Sequence, residues 1–316
     1  MAEAIGWFLL GLLLLALGGD SIVKAAGGLA LRLRVPPFVV GLVLVGFATS
    51  IPELTVNASA FLHGSQSLAL GNAVGSNIVN FGLTLGAAAV FAPLLIRWKA
   101  LSPLLLCLML ATVALILLAL DGVLSRLEGV VFLVAFVAVF AYAAGRSRDE
   151  HAEVREEVVA YATTSTDLAL NLIRVAIGAA LLFYGARWVV ESAPVVGLAM
   201  GMTPLVTGLI LVSIGTALPE VAAAVVAARR GQGDIVAGHV VGSSLVNLLV
   251  AVGGLAALRD LPIPASFVRF ELPAALAFLL LMVPMLRSDL RLSRGEGWVL
   301  LAAFAGWVVF ELLLVH

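Results

Sequence analysis

Charge is what this sequence has least of. Asp, Glu, Lys and Arg make up 12% of its 316 residues and hydrophobic residues 62%, whereas soluble domains carry about 25% charged residues. Too few polar side chains are present to cover a water-exposed surface, so the chain reads as a bilayer protein. Cysteine is nearly absent. The single Cys107 excludes an intrachain disulfide and a thiolate metal cluster. Inside an apolar run it reads as a small packing residue. Net charge is missing too: at −1 the chain offers no basic surface to nucleic acid.

What is present is a series of long apolar runs. A membrane helix needs about 20 mostly apolar residues. Ten candidate runs fall near 3–27, 36–63, 67–93, 99–120, 125–145, 168–193, 203–229, 233–258, 265–286 and 294–315. The first is not read as a signal peptide, because Glu3 and no basic residue precede a long apolar core. The expected fold class is all-α and integral to the membrane, with ten transmembrane helices. Numbering the connections alternately puts 14 of the 18 Lys and Arg on one side. Positive loops are cytoplasmic, so both termini are expected outside the cytoplasm of a prokaryotic inner (plasma) membrane. The longest connection, 146–167, mixes charges of both signs and reads as a solvated cytoplasmic linker.

The chain also repeats itself. Shifted by 167 residues it aligns without a gap, and residues 37–86 and 204–253 share 18 identities in 50. GLVLVGFATSIPE (41–53) falls on GLILVSIGTALPE (208–220), and GNAVGSNIVN (71–80) on GHVVGSSLVN (238–247). The matched Gly, Pro, Thr, Glu, Ser and Asn are not what apolar bias supplies, so this is a duplication. The expected organisation is a five-helix repeat over 1–150 with its motif at 41–86, a linker over 151–167, and a second five-helix repeat over 168–316 with its motif at 208–253. Five is odd, so the second repeat enters the membrane inverted. Inverted repeats are a transporter signature, with the site near the midplane between them.

Glu53 and Glu220 stand mid-helix at matched positions. A carboxylate at the bilayer centre costs about 2.5–3.5 kcal/mol on insertion scales. One such Glu can be a protonated helix–helix contact; two in one duplicated motif point to a site. Pro52 and Pro219 precede them. Proline lacks an N–H and clashes with the carbonyl four residues back, here Ala48 and Gly215. The helices are expected to kink and leave carbonyls, including those of Thr49 and Thr216, free to face a cavity. In the next helix of each half, Asn72, Ser76 and Asn80, and likewise His239, Ser243 and Asn247, share one face at four-residue spacing. The candidate ligands are Glu53, Glu220, Thr49, Thr216, Ser76, Ser243, Asn80 and Asn247, with hydroxyls from Ser50 and Ser213. This hard-oxygen set suits Ca²⁺ and Na⁺ better than Mg²⁺. The nearest imidazole, His239, lies two turns from Asn247, so zinc and copper are not expected.

With these motifs, in the form GFATSIPE…GNAVGSNIVN and GTALPE…GHVVGSSLVN, the whole chain resembles the sodium/calcium exchanger family of the cation/calcium antiporter superfamily. The resemblance implies that the two Glu bind Ca²⁺ and Na⁺ in competition. It carries the carbonyls of Thr49 and Thr216 and the hydroxyls of Ser76 and Ser243 into the site. It further implies alternating access, with helices one and six sliding over a fixed core. Several family members have Asp at the position of Asn247, and the second half has Ala217 where the first has Ser50. Two carboxylates are neutralised by one Ca²⁺ or by two monovalent ions, whereas three Na⁺ would leave +1 in a low dielectric. An H⁺/Ca²⁺ antiporter is therefore the second reading. No cofactor beyond the transported ions and no obligate protein partner is expected; the bilayer is the one other partner.

An intramembrane enzyme using the paired Glu is a rival of another class. A lipid phosphatase would need Arg or Lys at the site, and none lies beside the motifs, so an enzyme is not expected. A channel needs no alternating halves, and counterflow of labelled ion separates it from an exchanger. Smaller signals have plainer readings. Asn57-Ala58-Ser59 matches a glycosylation triplet inside a helix, which reads as chance. Asp20, Glu191, Glu271 and Glu311 are expected to snorkel to the interface, and Asp234 to cap its helix.

Overall fold

The computed structural model describes residues 1–35, 37–47, 50–96, 101–145, 152–289 and 291–314. Apolar runs become helices because a backbone away from water must satisfy its own N–H and C=O groups. In the first half these are α1 (Ala2–Arg32), α2 (Pro37–Phe47), α3 (Ile51–Leu62), α4 (Gln66–Val79), α5 (Leu85–Phe91), α6 (Leu101–Leu118) and α7 (Arg126–Gly145). Then come α8 (Ala152–Ala162), α9 (Leu168–Ala199), α10 (Pro204–Val206), α11 (Ser213–Arg229), α12 (Gly233–Leu245), α13 (Gly253–Leu258), α14 (Leu272–Asp289) and α15 (Arg294–Leu314). Among the described residues, four wider π-helical turns interrupt them, at Asn80–Thr84, Thr207–Val212, Val246–Val252 and Phe267–Glu271.

Among the described residues, eight helical runs are long and apolar enough to cross a membrane: Ala2–Arg32, Gln66–Phe91, Leu101–Asp121, Arg126–Gly145, Leu168–Ala199, Pro204–Arg229, Gly233–Leu258 and Arg294–Leu313. Two of the ten expected spans are not among them. The 36–63 run is described as α2 and α3 on either side of residues 48–49, which lie outside the described residues. The 265–286 run opens on a π-helical turn that carries Arg269 and Glu271. The outer surface is apolar: Leu106, Leu110, Leu117, Leu127, Val134 and Phe183 are each more than half exposed. A surface of this kind is stable only against lipid.

Two runs pass through the middle. The apolar stretches of Gln66–Phe91 and Gly233–Leu258 are 83% and 89% buried, against 17% for Arg126–Gly145. Each crosses the helix before the other half's copy at a glycine. A Cβ on Gly75 would stand 2.3 Å from the carbonyl oxygen of Leu209, and one on Gly242 would stand 2.3 Å from the Cα of Gly46. Backbones approach this closely only where there is no side chain. The long helices α1 and α9 pack along each other at the edge of this centre, with Trp7 and Trp188 ring centroids 4.9 Å apart.

Short strands tie the halves together. β1 (Leu94–Leu95) pairs antiparallel with β4 (Arg291–Leu292), and β2 (Val123–Leu124) with β3 (Leu261–Pro262). The helices that follow β2 and β4 start alike. The N–H of Ser125 donates to Glu128 Oε2 at 2.7 Å and that of Ser293 to Glu296 Oε2 at 2.8 Å. The two Ser hydroxyls accept from the N–H of Glu128 and Glu296 in return. These are reciprocal capping boxes.

Three expectations are corrected. The 146–167 connection is not simply solvated. Residues 146–151 lie outside the described residues, but Val154 and Val158 of α8, one turn apart, are fully buried, and α8 packs on α2. Gln232, not Asp234, occupies the N-cap position of α12; Asp234 lies in the first turn, fully buried. Glu271 and Glu311 do not snorkel. The contact between Phe270 and Phe310, 5.9 Å between ring centroids, brings their helices together, and both Glu are fully covered by protein. Asp20 and Glu191 do stay exposed, each paired one turn away with Lys24 and Arg187.

Candidate functional site

Glu53 lies in the first turn of α3, whose N-cap is Ser50 and whose Pro52 sits where a helix needs no N–H donor. Glu220 lies inside α11, which continues through Pro219 without ending. Pro219 has no N–H to give to Gly215 O, so that carbonyl lacks its usual helix partner. Both carboxyls are buried, Glu53 at 1% and Glu220 at 8% exposure. Glu53 is within electrostatic reach of Glu220 and of the Thr216 hydroxyl.

The other candidates are buried around them: Ser50, Ser76, Asn80, Ser213, Thr216, Ser243 and Asn247. Thr49 lies outside the described residues. Asn80 opens one π-helical turn, and Asn247 lies in another, Val246–Val252. Such wide turns recur at functional sites. The two halves are bonded across the site. Ser50 Oγ donates to Ser243 Oγ at 2.8 Å, Asn80 Nδ2 to Ser243 Oγ at 3.2 Å and to Ser244 Oγ at 3.4 Å. Ser213 and Thr216 use their hydroxyl hydrogens within their own helix. Ser213 donates to the carbonyl oxygen of Leu209, and Thr216 to those of Val212 and Ser213 at 3.1 and 3.3 Å.

Several oxygens are left over. Both carboxylate oxygens of Glu53, Oε1 of Glu220, Oγ of Ser76, and Oδ1 of Asn80 and of Asn247 are buried with no hydrogen-bond partner. Native interiors rarely leave polar atoms so, and unpaired buried charge is strongly unfavourable. A collection of buried oxygens with no protein donor fits a desolvated hard cation, which accepts lone pairs and brings positive charge.

Some site residues are not evident from the sequence. Asn77 Nδ2 donates to Ser244 O at 3.3 Å, a bond between repeat-equivalent positions. Asn72 Nδ2 donates to Asn57 Oδ1 at 2.7 Å. Asn57 is 1% exposed, which suits the reading of its glycosylation triplet as chance. The only signal for Asn77 and Ser244 was their place inside the duplicated motif. His239, two turns from Asn247 along its own helix, stands with Nε2 3.5 Å from Glu220 Oε2. Spacing along α12 hid this, because the contact is made to another helix, α11.

The family described as "Sodium/calcium exchanger protein" matches residues 3–145 and 158–313. The candidate antiporter CaxA of Alkalimonas amylolytica is 32% identical over 97% of this chain and 98% of its own length. The inner membrane protein YrbG of Escherichia coli (strain K12) is 29% identical over 98% and 96%. The solved structure of the sodium-calcium exchanger NCX_Mj, soaked with 2.5 mM Na⁺ and 10 mM Sr²⁺, superimposes with a TM-score of 0.68 at 28% identity, covering 98% of each chain.

Proposed function

The chain belongs to the sodium/calcium exchanger family, a membrane cation/calcium antiporter and not an enzyme, and from that premise we propose that it exchanges Ca²⁺ for Na⁺ at Glu53 and Glu220 by alternating access. The observation that carries this reading is the set of buried, unpartnered oxygens on Glu53, Glu220, Ser76, Asn80 and Asn247. Two carboxylates hold one Ca²⁺ or two Na⁺ at balanced charge, and competition for the same oxygens couples the two ions. Thr49, Thr216, Ser50, Ser213 and Ser243 complete the proposed ligand set. H⁺/Ca²⁺ exchange is the second reading, favoured by Asn247, which leaves the site two carboxylates and no third.

Ten spans in two inverted five-helix repeats are supported by parity. Arg32 Nη1 donates to Thr166 O at 3.3 Å, so residues 32 and 166 lie on one membrane face. An even number of crossings must separate them. Three of the eight apolar runs lie between, α8 is too short to cross, and 36–63 supplies a fourth. β1 and β4 also share a face. Five of the eight runs separate them, and 265–286 supplies the sixth. The exchange of partners between β1–β4 and β2–β3, at positions one repeat apart, is what a two-fold axis in the membrane plane produces. With the basic loops inside, both termini lie outside the inner membrane. The α1–α9 pair, mostly exposed to lipid, is free to slide across the buried centre and open the site to each side in turn.

The test is Ca²⁺ uptake into proteoliposomes loaded with Na⁺, with and without a pH gradient. Uptake driven by Na⁺ supports the first reading. Uptake driven only by the pH gradient transfers it to the second, and none under either gradient sinks both.

A further inference from the structure

Two buried carboxyls take no part in the ion site. Glu271 ends the π-helical turn Phe267–Glu271 and Glu311 lies near the end of α15, and both are 0% exposed. The Phe270–Phe310 contact sets their helices side by side, and Glu311 is within electrostatic reach of Glu271. Both oxygens of Glu271 lack a hydrogen-bond partner; the Ser266 hydroxyl and the residue's own N–H face it outside bonding geometry. One turn before Glu311 on the same side of α15, Trp307 is 7% exposed and its Nε1–H has no acceptor. Among the described residues, the elements packed on this seam bring no cation to Glu271. α4, α5, α6 and the turn Asn80–Thr84 hold Cys107 as their only titratable group. Arg269 is exposed, and Arg287, Asp289, Arg291, Arg294 and Glu296 lie at the opposite ends of α14 and α15. The first half has no counterpart: the 168-residue shift sets Val139 and Ala143 against Trp307 and Glu311, and α6 contains no carboxyl.

We propose that Glu271 and Glu311 form a second cation site, which takes one proton shared between them, and that release of this proton in alkali slows exchange. Two carboxylates buried together repel, and one proton removes the repulsion. A metal ion is the poorer fit, since among the described residues no group of three or more His, Cys, Asp and Glu is clustered to hold one. The seam adjoins the ion site. Phe304 packs on Trp307, ring centroids 6.0 Å apart, and a Cβ on Gly82, in the turn that Asn80 opens, would stand 2.8 Å from Phe304 Cβ. Like charge that parts α14 from α15 therefore loosens the packing behind Asn80. The link to exchange rests on the reading of Asn80 as a ligand; the proton site does not.

The test is infrared spectroscopy of the full chain in detergent, which reads the carbonyl band of a protonated carboxyl, in a Glu53→Gln/Glu220→Gln background that silences the motif carboxyls. A band is expected at neutral pH, lost in alkali, shifted by Glu271→Gln or Glu311→Gln alone and lost with both. No band at neutral pH, or one that survives both changes, would overturn the proposal. Thermal unfolding in that background verifies that each variant is folded and gives a second reading. Unfolded Glu ionises at about pH 4.3, so a folded chain that keeps the proton binds more protons at neutral pH, and its stability falls as pH rises. The double change Glu271→Gln/Glu311→Gln should flatten that fall, and an equal fall with it would also overturn the proposal. With the motif Glu restored, Ca²⁺ uptake into proteoliposomes should drop in alkali in the wild type and hold in the double variant; an equal drop in both overturns the link to exchange. A pair-dependent band in a chain that exchanges no Ca²⁺ would uphold the proton site and sink the exchange reading instead.

Discussion

The two halves of this molecule carry the same motif and surround its Glu differently. In the first, α3 starts at Ser50, Pro52 falls in its opening turn, and Asn57 and Asn72 bond to each other. In the second, a π-helical turn at Thr207–Val212 leads into α11, which runs on through Pro219, and His239 approaches Glu220. Local irregularity is present in both, as carbonyls and oxygens facing a cavity require, but it is reached by different backbone routes. Duplication has kept the charged residues and let their neighbours diverge. A site between such halves has two carboxylates of unequal surroundings, although the sequence writes them identically.

The largest expected effect tests whether both carboxylates are needed despite that inequality. Glu53→Gln and Glu220→Gln should each lower Ca²⁺ exchange in proteoliposomes by more than about a hundredfold, because each removes half the site's charge in a low dielectric. If one variant keeps near-normal exchange, the halves are not partners and the ion is held by one side. Next in size is the paired glycine crossing. Gly75→Ala and Gly242→Ala both place a methyl against backbone at 2.3 Å. Overpacking of this kind costs about 1–3 kcal/mol or more, and both variants should melt several degrees lower in detergent. A large loss for one and none for the other would show that the crossings are not equivalent.

Much of this arrangement was legible in the sequence because it depends on residue type at fixed spacing. Glu53 and Glu220 were conspicuous as charges in apolar runs, and Ser76, Asn80, Ser243 and Asn247 as polar groups on one helical face. Contacts between helices were not legible. His239 looked remote because distance along α12 says nothing about the neighbouring α11. The π-helical turns left no mark, since Thr207–Val212 is as apolar as any helix. Ser213 was legible as a hydroxyl but not as one already donating within its own helix. The capping boxes at Ser125–Glu128 and Ser293–Glu296 were there to be read, as S-R-x-E-G in both halves. They lie outside the aligned motif and need a shift of 168 residues rather than 167.

A change of charge sharpens the comparison further. Asn247→Asp adds a third carboxylate to the second half alone. The site would then balance three monovalent ions, and exchange of one Ca²⁺ would move net charge. Ca²⁺ uptake, expected to be insensitive to membrane potential in the wild type, should become driven by an inside-positive potential set with K⁺ and valinomycin, because three Na⁺ leave for each Ca²⁺ that enters. Asn80→Asp makes the same addition in the first half and should act alike if charge count alone governs stoichiometry.

The smallest expected effect concerns one hydroxyl. Ser50 bonds to Ser243 across the halves at 2.8 Å. The mirror-image pair would be residue 217 with Ser76, but 217 is Ala, and Ser76 Oγ is accordingly left without a partner. Ser50→Ala removes one buried hydrogen bond, worth about 1 kcal/mol or about fivefold in affinity. Because Asn80 still reaches Ser243 at 3.2 Å, the loss of Ca²⁺ affinity should be two- to fivefold rather than more. Ala217→Ser should give Ser76 its missing bond. In the double variant the bond moves from one side of the axis to the other. Recovery of Ca²⁺ affinity there would mean that the halves need one such link and tolerate it in either place. No recovery would mean that Ser76 serves better with its oxygen unbonded and open to the ion, so that the loss of a hydroxyl at Ala217 is itself part of how the two halves came to differ.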